Sequence, residues 1–305
     1  MTSLTRKKVK MPKGPRGSTK SQNESVEQSP TRFRDLGTGY LPAFVTFLDI
    51  LAFKELIKEK TAEHINAQLD AMLAFSEVRQ RRAGIYARAE LAPMVVQFSD
   101  TIIRVQPLSR EEGVKPYDLL VGEIESLCML QGNLVCNGIL VRGGLTFGDV
   151  CIQESRIFGP AFNRAYELES KLARYPRILV DEHLVVPRGL NPFSVPNSRA
   201  TAEAAREALE ELLERNDDGQ FSVQYLTHLF EGTHPEGVTN LDVLRVHRDR
   251  ISDLLTKLQG AKVEEHRAKV RWTANYHNRW IGRAFSKLDE IEFDNTNRGL
   301  MIEIS

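Results

Sequence analysis

Cysteine is scarce: Cys128, Cys136 and Cys151 are the only three in 305 residues. None stands in a C-x-x-C arrangement, so neither a disulfide framework nor a zinc pattern is present, and a reducing, cytoplasmic setting is expected. An excess of charge is also lacking, with 41 Lys+Arg against 41 Asp+Glu and a pI near 7.1. That balance disfavours a protein built to coat nucleic acid or an anionic membrane. No apolar run reaches the roughly 18 residues of a membrane span, and no internal repeat is found. The first 37 residues carry nine Lys or Arg among Ser, Gly, Pro and Gln but lack the apolar stretch of about 7 to 15 residues of a secretory signal. Residues 1–37 are therefore expected to be a solvated, disordered basic tail.

What is present begins at Tyr40. Phe44 to Leu48 has the aromatic and β-branched content of a buried strand and ends in Asp49. From Phe53, apolar residues at helical spacing predict an amphipathic helix to about Arg82. Met94–Gln97 and Ile102–Val105 predict two short strands joined through Phe98-Ser99-Asp100-Thr101. A helix over Tyr117–Leu130, a strand over Ile139–Thr146, a connection over Gly148–Phe158, a helix over Gly159–Ala173 and a strand over Arg177–Asp181 follow. The order is β-α-β-β-α-β. Beyond about Val186 a Pro- and Asn-rich stretch, Pro187 to Pro192, marks a loop. Helical composition then dominates over Ala202–Glu214, Leu241–Leu258 and Val263–Phe285. Trp272, Tyr276 and Trp280 fall on one helix face, the pattern of core or interface rather than of a ligand box. The expected division is 1–37 tail, 38–185 catalytic domain and 186–305 helical C-terminal extension.

Asp49 and Asp100 carry the chemistry. Two carboxylates at the ends of adjacent strands suit a pair of divalent cations about 3.5 to 4 Å apart, as in-line displacement at phosphorus requires. Read from spacing alone, ordinary cap and turn roles are the commoner fate of such Asp residues. Leu51, Ala52 and Phe53 lead directly into a helix, whose backbone N–H groups suit a triphosphate.

Four segments in order carry a resemblance: Phe47-Leu48-Asp49-Ile50-Leu51-Ala52-Phe53, Phe98-Ser99-Asp100, Arg142-Gly143-Gly144-Leu145-Thr146-Phe147-Gly148, and Gly159-Pro160-Ala161-Phe162-Asn163-Arg164-Ala165. Together they resemble the motifs of class III nucleotidyl cyclase catalytic domains, over roughly Tyr40 to Asp181. The resemblance implies an α+β fold with a ferredoxin-like βαββαβ core and a central antiparallel sheet, plus the C-terminal helical extension. It implies a homodimer with catalysis between two such domains and two Mg²⁺ or Mn²⁺ per active site. By position, Asp49, Asp100 and the Ile50 carbonyl resemble the metal ligands, and Asn163 the side chain that orients the ribose.

Two positions depart from the family. Where purine cyclases read the base with a Lys and an Asp, this chain has Val96 and Arg156. Val96 offers no hydrogen bond and Arg156 only donors, which suit an acceptor such as uracil O4 or cytosine O2. In this the chain is similar to the pyrimidine cyclases of bacterial Pycsar antiphage defence. That likeness implies UTP, or alternatively CTP, as substrate and a separate downstream effector switched on by the cyclic product. The second departure is Glu167, standing where the family places an Arg against phosphate charge. Arg142, Arg104 and Arg164 are the candidate replacement cations, while Glu167 and Glu169 are expected on the helix exterior, paired with Lys171 and Arg174. Two other classes share the pattern: a nucleotide sensor that does not turn over, and a polymerase palm with the same strand order and paired Asp. The Gly159-x-x-x-Asn163 helix start favours the cyclase.

Overall fold

The computed structural model describes residues 39–77, 93–108, 116–153, 156–185, 207–232, 234–258, 264–286 and 299–304. The basic tail over 1–37, the Pro187–Pro192 loop and the end of the first predicted helix lie outside the described residues.

Strand β1 (Leu41–Ile50) is the spine of the sheet. Its side chains alternate between two cores. Phe44, Leu48 and Ile50 join one cluster, and Ala43, Val45 and Phe47 join the other, as the two-residue period of a strand buried on both faces demands. Helices α1 (Phe53–Glu59) and α2 (Ala62–Glu77) replace the single predicted helix. Lys60 turns extended between them, and the Thr61 hydroxyl accepts from the His64 N–H, so a capping residue restarts the helix. Strands β2 (Met94–Phe98) and β3 (Thr101–Pro107) form the expected hairpin. Helix α3 (Pro116–Cys136) outruns its prediction at the C-terminal end because Leu130, Leu134 and Val135 continue its buried face. By length and apolar content α3 passes as a membrane span, but it is mostly buried inside the protein, as the central helix of a core is.

Strand β4 (Val141–Gln153) continues through the segment predicted as a connection and turns back into β5 (Arg156–Phe158). Val150 and Ile152 are fully buried there, which is why the strand does not stop at Gly148. Helix α4 (Pro160–Glu167) passes into a π-helical turn, Leu168–Leu172, before β6 (Ile178–Val180) and α5 (Glu182–Val185). The sheet runs β2-β3-β1-β4-β6 and then onward, with every pair among the first four strands antiparallel and β4–β6 parallel. β1-α-β2-β3-α3-β4 in the order β2-β3-β1-β4 is the ferredoxin-like core that was expected. Helix α3 packs on one face, and Ala161 and Ala165 of α4 pack on the other.

The C-terminal portion is helical, as expected, but also adds two strands. Residues 207–212 are helical, and β7 (Leu213–Arg215) then pairs with β8 (Phe221–Val223), which extends the sheet beyond β6. The helical composition of Ala202–Glu214 yields at its last residues to this pairing, an override of local propensity by tertiary context. Helices α6 (Tyr225–Glu231), α7 (Asn240–Lys257) and α8 (Glu264–Ala284) follow. Tyr276 and Trp280 are buried and Trp272 stacks on Tyr276 at 5.8 Å, so the aromatic stripe is core.

Candidate active site

The site forms where three sheet elements end together. Asp49, one residue from the end of β1, stands opposite Thr101 of β3 and Arg142 of β4. The β2–β3 turn is only Ser99-Asp100, with Ser99 in the left-handed region at φ 57°. This tight turn presents Asp100 beside β1, and the Ile50 N–H donates to the Asp100 carbonyl at 3.3 Å. The two carboxyls lie close enough for the charge of Asp100 to act on Asp49. Burial, and after it the charge of Asp100, pushes the Asp49 carboxyl up to about 6, with the neighbouring Arg142 pulling the other way.

Arg142 lies between two acids. Its Nε is 3.4 Å from Asp49 Oδ2 and 2.7 Å from Glu169 Oε1. Glu169 is buried on the π-helical turn, and burial is the main reason its carboxyl rises to about 7, opposed by Arg142 and reinforced by Asp49 and Asp100. The sequence Arg142-Gly143-Gly144 explains how Glu169 gets there. A Cβ on Gly144 would stand 2.3 Å from Leu168 Cβ, 2.9 Å from the Ala165 carbonyl and 3.1 Å from the Glu169 nitrogen. Only glycine lets α4 and its continuation settle onto β4 at this depth. The turn is closed by the Ala173 N–H bonding to the Leu168 carbonyl at 2.8 Å, one residue wider than an α-helical bond. Glu169 therefore faces inward, four residues after buried Ala165, which corrects the expectation of an exterior residue paired with Lys171 and Arg174.

The other two candidate cations are committed elsewhere. Arg104 is fully buried and bonds both oxygens of Glu123, at 2.9 and 2.8 Å, with Thr46 donating to the same carboxylate. This is a core ion pair. Arg164 grips both oxygens of Asp181, at 2.8 and 3.0 Å, and Glu167 at 3.0 Å. Burial alone would raise Asp181, but hydrogen bonds from His183, Arg164 and Thr146 outweigh it and hold that carboxyl well below the usual range. Glu167 pairs with Arg164 and with Lys171 at 3.5 Å, the helix-surface fate expected of it. Of the three, only Arg142 stands beside Asp49.

The remaining site candidates are spread out. The Leu51 N–H is spent on the Leu140 carbonyl at 2.9 Å, and the Leu51 and Phe53 side chains are core. Ala52 adopts φ 62°, ψ 27° and precedes α1, so the backbone turns sharply beside the carboxylates. Val96 is half-buried in β2, across from Ile103 of β3 and, through it, Phe47 and Gly144. Arg156 is exposed on β5 across from Gln153, at the opposite end of β4 from Arg142. Asn163 is exposed on α4, and among the described residues its side chain has no hydrogen-bond partner. Helix α4 starts at Gly159, whose φ of 143° and approach to the Asp149 carbonyl exclude a side chain, followed by Pro160 at the first turn. Asp49 and Asp100 are thus brought together within the chain, while Arg156 and Asn163 are presented outward, away from them.

Among the described residues no group of three or more His, Cys, Asp or Glu is arranged as a metal cage. Two carboxylates, one buried enough to resist ionising, fit Mg²⁺ or Mn²⁺ in a different way. Such ions take one or two carboxylates and complete their shell with water and substrate phosphates.

No protein-family model matches the chain, and no curated protein matches it. Among solved structures it is similar to a bacterial light-regulated adenylyl cyclase, at 13% identity and a TM-score of 0.37, over 70% of this chain and 100% of that one. It is similar to the catalytic core of a rhodopsin–guanylyl cyclase with converted specificity in complex with ATPαS, at 13% identity and a TM-score of 0.34, over 61% and 96%. A further structure of a bacterial light-regulated adenylyl cyclase is similar at 13% identity and a TM-score of 0.37, over 71% and 60%.

Proposed function

We propose that the chain is a nucleotidyl cyclase that converts UTP to 3',5'-cyclic UMP and pyrophosphate. The observation that carries the reading is the meeting of the Asp49 and Asp100 carboxyls at the ends of adjacent sheet elements, with Arg142 beside Asp49. Divalent cations held there supply charge neutralisation at the α-phosphate and lower the pKa of the ribose 3'-hydroxyl. The 3'-oxygen forms a bond to the α-phosphorus as the bond to the bridging β-phosphate oxygen breaks and pyrophosphate leaves. Asp49, Asp100 and the Ile50 carbonyl would hold the cations. The Ala52 and Phe53 backbone N–H groups face the triphosphate, and Arg142 takes the phosphate-charge role vacated at Glu167.

Asn163 and Arg156 stand apart from Asp49 in one chain, which supports a head-to-tail homodimer. Each site then combines the carboxylates of one subunit with Asn163 and Arg156 of the partner subunit. Exposed Tyr40, Phe98, Phe158 and Tyr166 supply apolar area to such a contact. Arg156, with only donors to offer, selects a pyrimidine acceptor, and Val96 adds no polar contact to the base. By its likeness to pyrimidine cyclases of antiphage defence, the product is a second messenger for a separate effector in a bacterial cytoplasm.

The test is incubation of the purified chain with Mn²⁺ or Mg²⁺ and each of ATP, GTP, CTP and UTP, with products identified by mass spectrometry. Cyclic UMP is expected. Cyclic CMP would leave the pyrimidine reading and change the base, and a cyclic purine nucleotide would overturn Arg156 as the reader. A dinucleotide product would overturn the cyclase in favour of a polymerase palm. The pairing of Glu167 with Arg164 and Lys171 favours one other reading, a nucleotide sensor without turnover, which tight nucleotide binding and no product would identify.

A further inference from the structure

Arg142 creates a difficulty for the proposed site. A guanidinium beside Asp49 competes with any cation for the same oxygens, yet removing it would leave the phosphates without their nearest fixed positive charge. Glu169 offers the resolution. Its carboxylate is only 5% exposed and lies 2.7 Å from Arg142 Nε, against 3.4 Å for Asp49. Where both carboxyls are ionised the closer one holds Arg142 more strongly, since attraction scales inversely with distance and is least screened where water is excluded. The contact is an ion pair rather than an aligned hydrogen bond, because Glu169 Oε1 has no hydrogen-bond partner that satisfies geometry. The Arg142 Nε–H is directed at Asp49 Oδ2 instead, at the long distance of 3.4 Å, so Glu169 acts on the guanidinium through charge.

Among the described residues, Arg142 is the ion-pair partner of the buried Glu169 carboxylate. The Gly144 contact and the π-helical widening together set Glu169 at the end of β4, and both cost stability in an ordinary helix-on-sheet packing. We propose that Glu169 is a positioning residue, whose buried carboxylate draws Arg142 toward itself and leaves it only a long, 3.4 Å hydrogen bond to Asp49, so that a divalent cation can displace the guanidinium from Asp49 while it stays beside the two carboxylates. The proposal rests on the metal-dependent reading of the site given above.

The test is Mn²⁺ binding to the full-length chain in the absence of nucleotide, followed by the paramagnetic resonance of free Mn²⁺. In Glu169→Gln, Asp49 is the ion-pair partner left to Arg142 among the described residues, and Mn²⁺ affinity is expected to fall about tenfold or more, the size typical of lost support behind a metal ligand. In the double variant Glu169→Gln/Arg142→Gln the competitor is gone, and affinity is expected to return to within about threefold of wild type. Glu169→Asp, which keeps the charge, is expected to retain most of the affinity and covers the case in which the Gln variant fails to fold. Wild-type affinity in Glu169→Gln, with binding still lost in Asp49→Ala, would overturn the positioning role and leave the metal reading standing. Equal loss in the single and double Gln variants would overturn it too, since it would mean that Glu169 serves only the local packing. Absence of Mn²⁺ binding by wild type and Asp49→Ala alike would overturn the metal reading and this proposal with it.

Discussion

At Asp49 the chain keeps a carboxylate where burial and a second carboxylate both oppose its charge. Its folded pKa of about 6 lies above the ordinary 3.8, so the folded chain binds this proton more tightly than the unfolded chain does. The charged form therefore costs stability, fully above pH 6 and not at all well below pH 4. Replacing Asp49 by Asn is expected to raise the melting temperature by roughly 2–4 °C at pH 8, with the gain vanishing near pH 3.5. The same variant should lose metal-dependent turnover by about 10³-fold. Calorimetry at the two pH values alongside a turnover assay checks both halves; a variant less stable than wild type at pH 8 would contradict the electrostatic account. Asp49, Asp100 and Arg142 were legible in the sequence because each ends or begins an apolar run. Glu169 was not legible as a buried residue. It lies four residues after Ala165 and eight after Ala161, both buried, but a carboxylate reads as a surface residue when the cation it meets, Arg142, is distant in the sequence.

At the scale of elements, the Arg-Gly-Gly segment matters for what it admits. Gly144→Ala would force Leu168, Ala165 and Glu169 off β4, at a cost of about 1–3 kcal/mol by overpacking. Urea denaturation is the check, and a variant within 0.5 kcal/mol of wild type, a margin of about the noise of surface changes, would show that α4 can slide freely. The strand order was legible in the alternation of β1 and the hairpin around Asp100. The C-terminal strands were not, because three-residue strands are too short to show a period and borrow their register from β6. The same region holds a buried relay. His277 Nε2 donates to the Leu300 carbonyl at 2.8 Å, so its Nδ1 accepts from His247 Nδ1 at 2.9 Å, leaving His247 Nε2 to accept from the Tyr225 hydroxyl at 2.9 Å. Burial holds His277 down to about 4 and His247 well below its ordinary range. Because these pKa values are depressed, the unfolded chain binds protons that the folded chain refuses, and stability contributed by the relay is lost as pH falls from about 6.5 to about 4. For His277 alone that is on the order of 3 kcal/mol. A nuclear magnetic resonance titration should find both rings neutral at pH 6; a ring titrating near 6.5 would contradict the assignment.

At the scale of the molecule, one face of the sheet carries α3 and the C-terminal helices, and the other, among the described residues, carries α4 with exposed aromatics around it. Asp49 and Asp100 lie at one end of the sheet, and Arg156 lies at the far end of β4. A head-to-tail pair of chains unites the two ends. Mixing Asp49→Ala with Asn163→Ala, each inactive alone, is then expected to restore about a quarter of wild-type activity, since half of randomly exchanged dimers are mixed and each of those carries one intact site. No recovery after subunit exchange would contradict the shared site. The most direct measurement of the whole account sets wild type and Asp49→Ala side by side with UTP and Mn²⁺ and follows products by mass spectrometry. The account predicts cyclic UMP and pyrophosphate in equal amounts from wild type and neither from the variant, whereas equal product from both would contradict it.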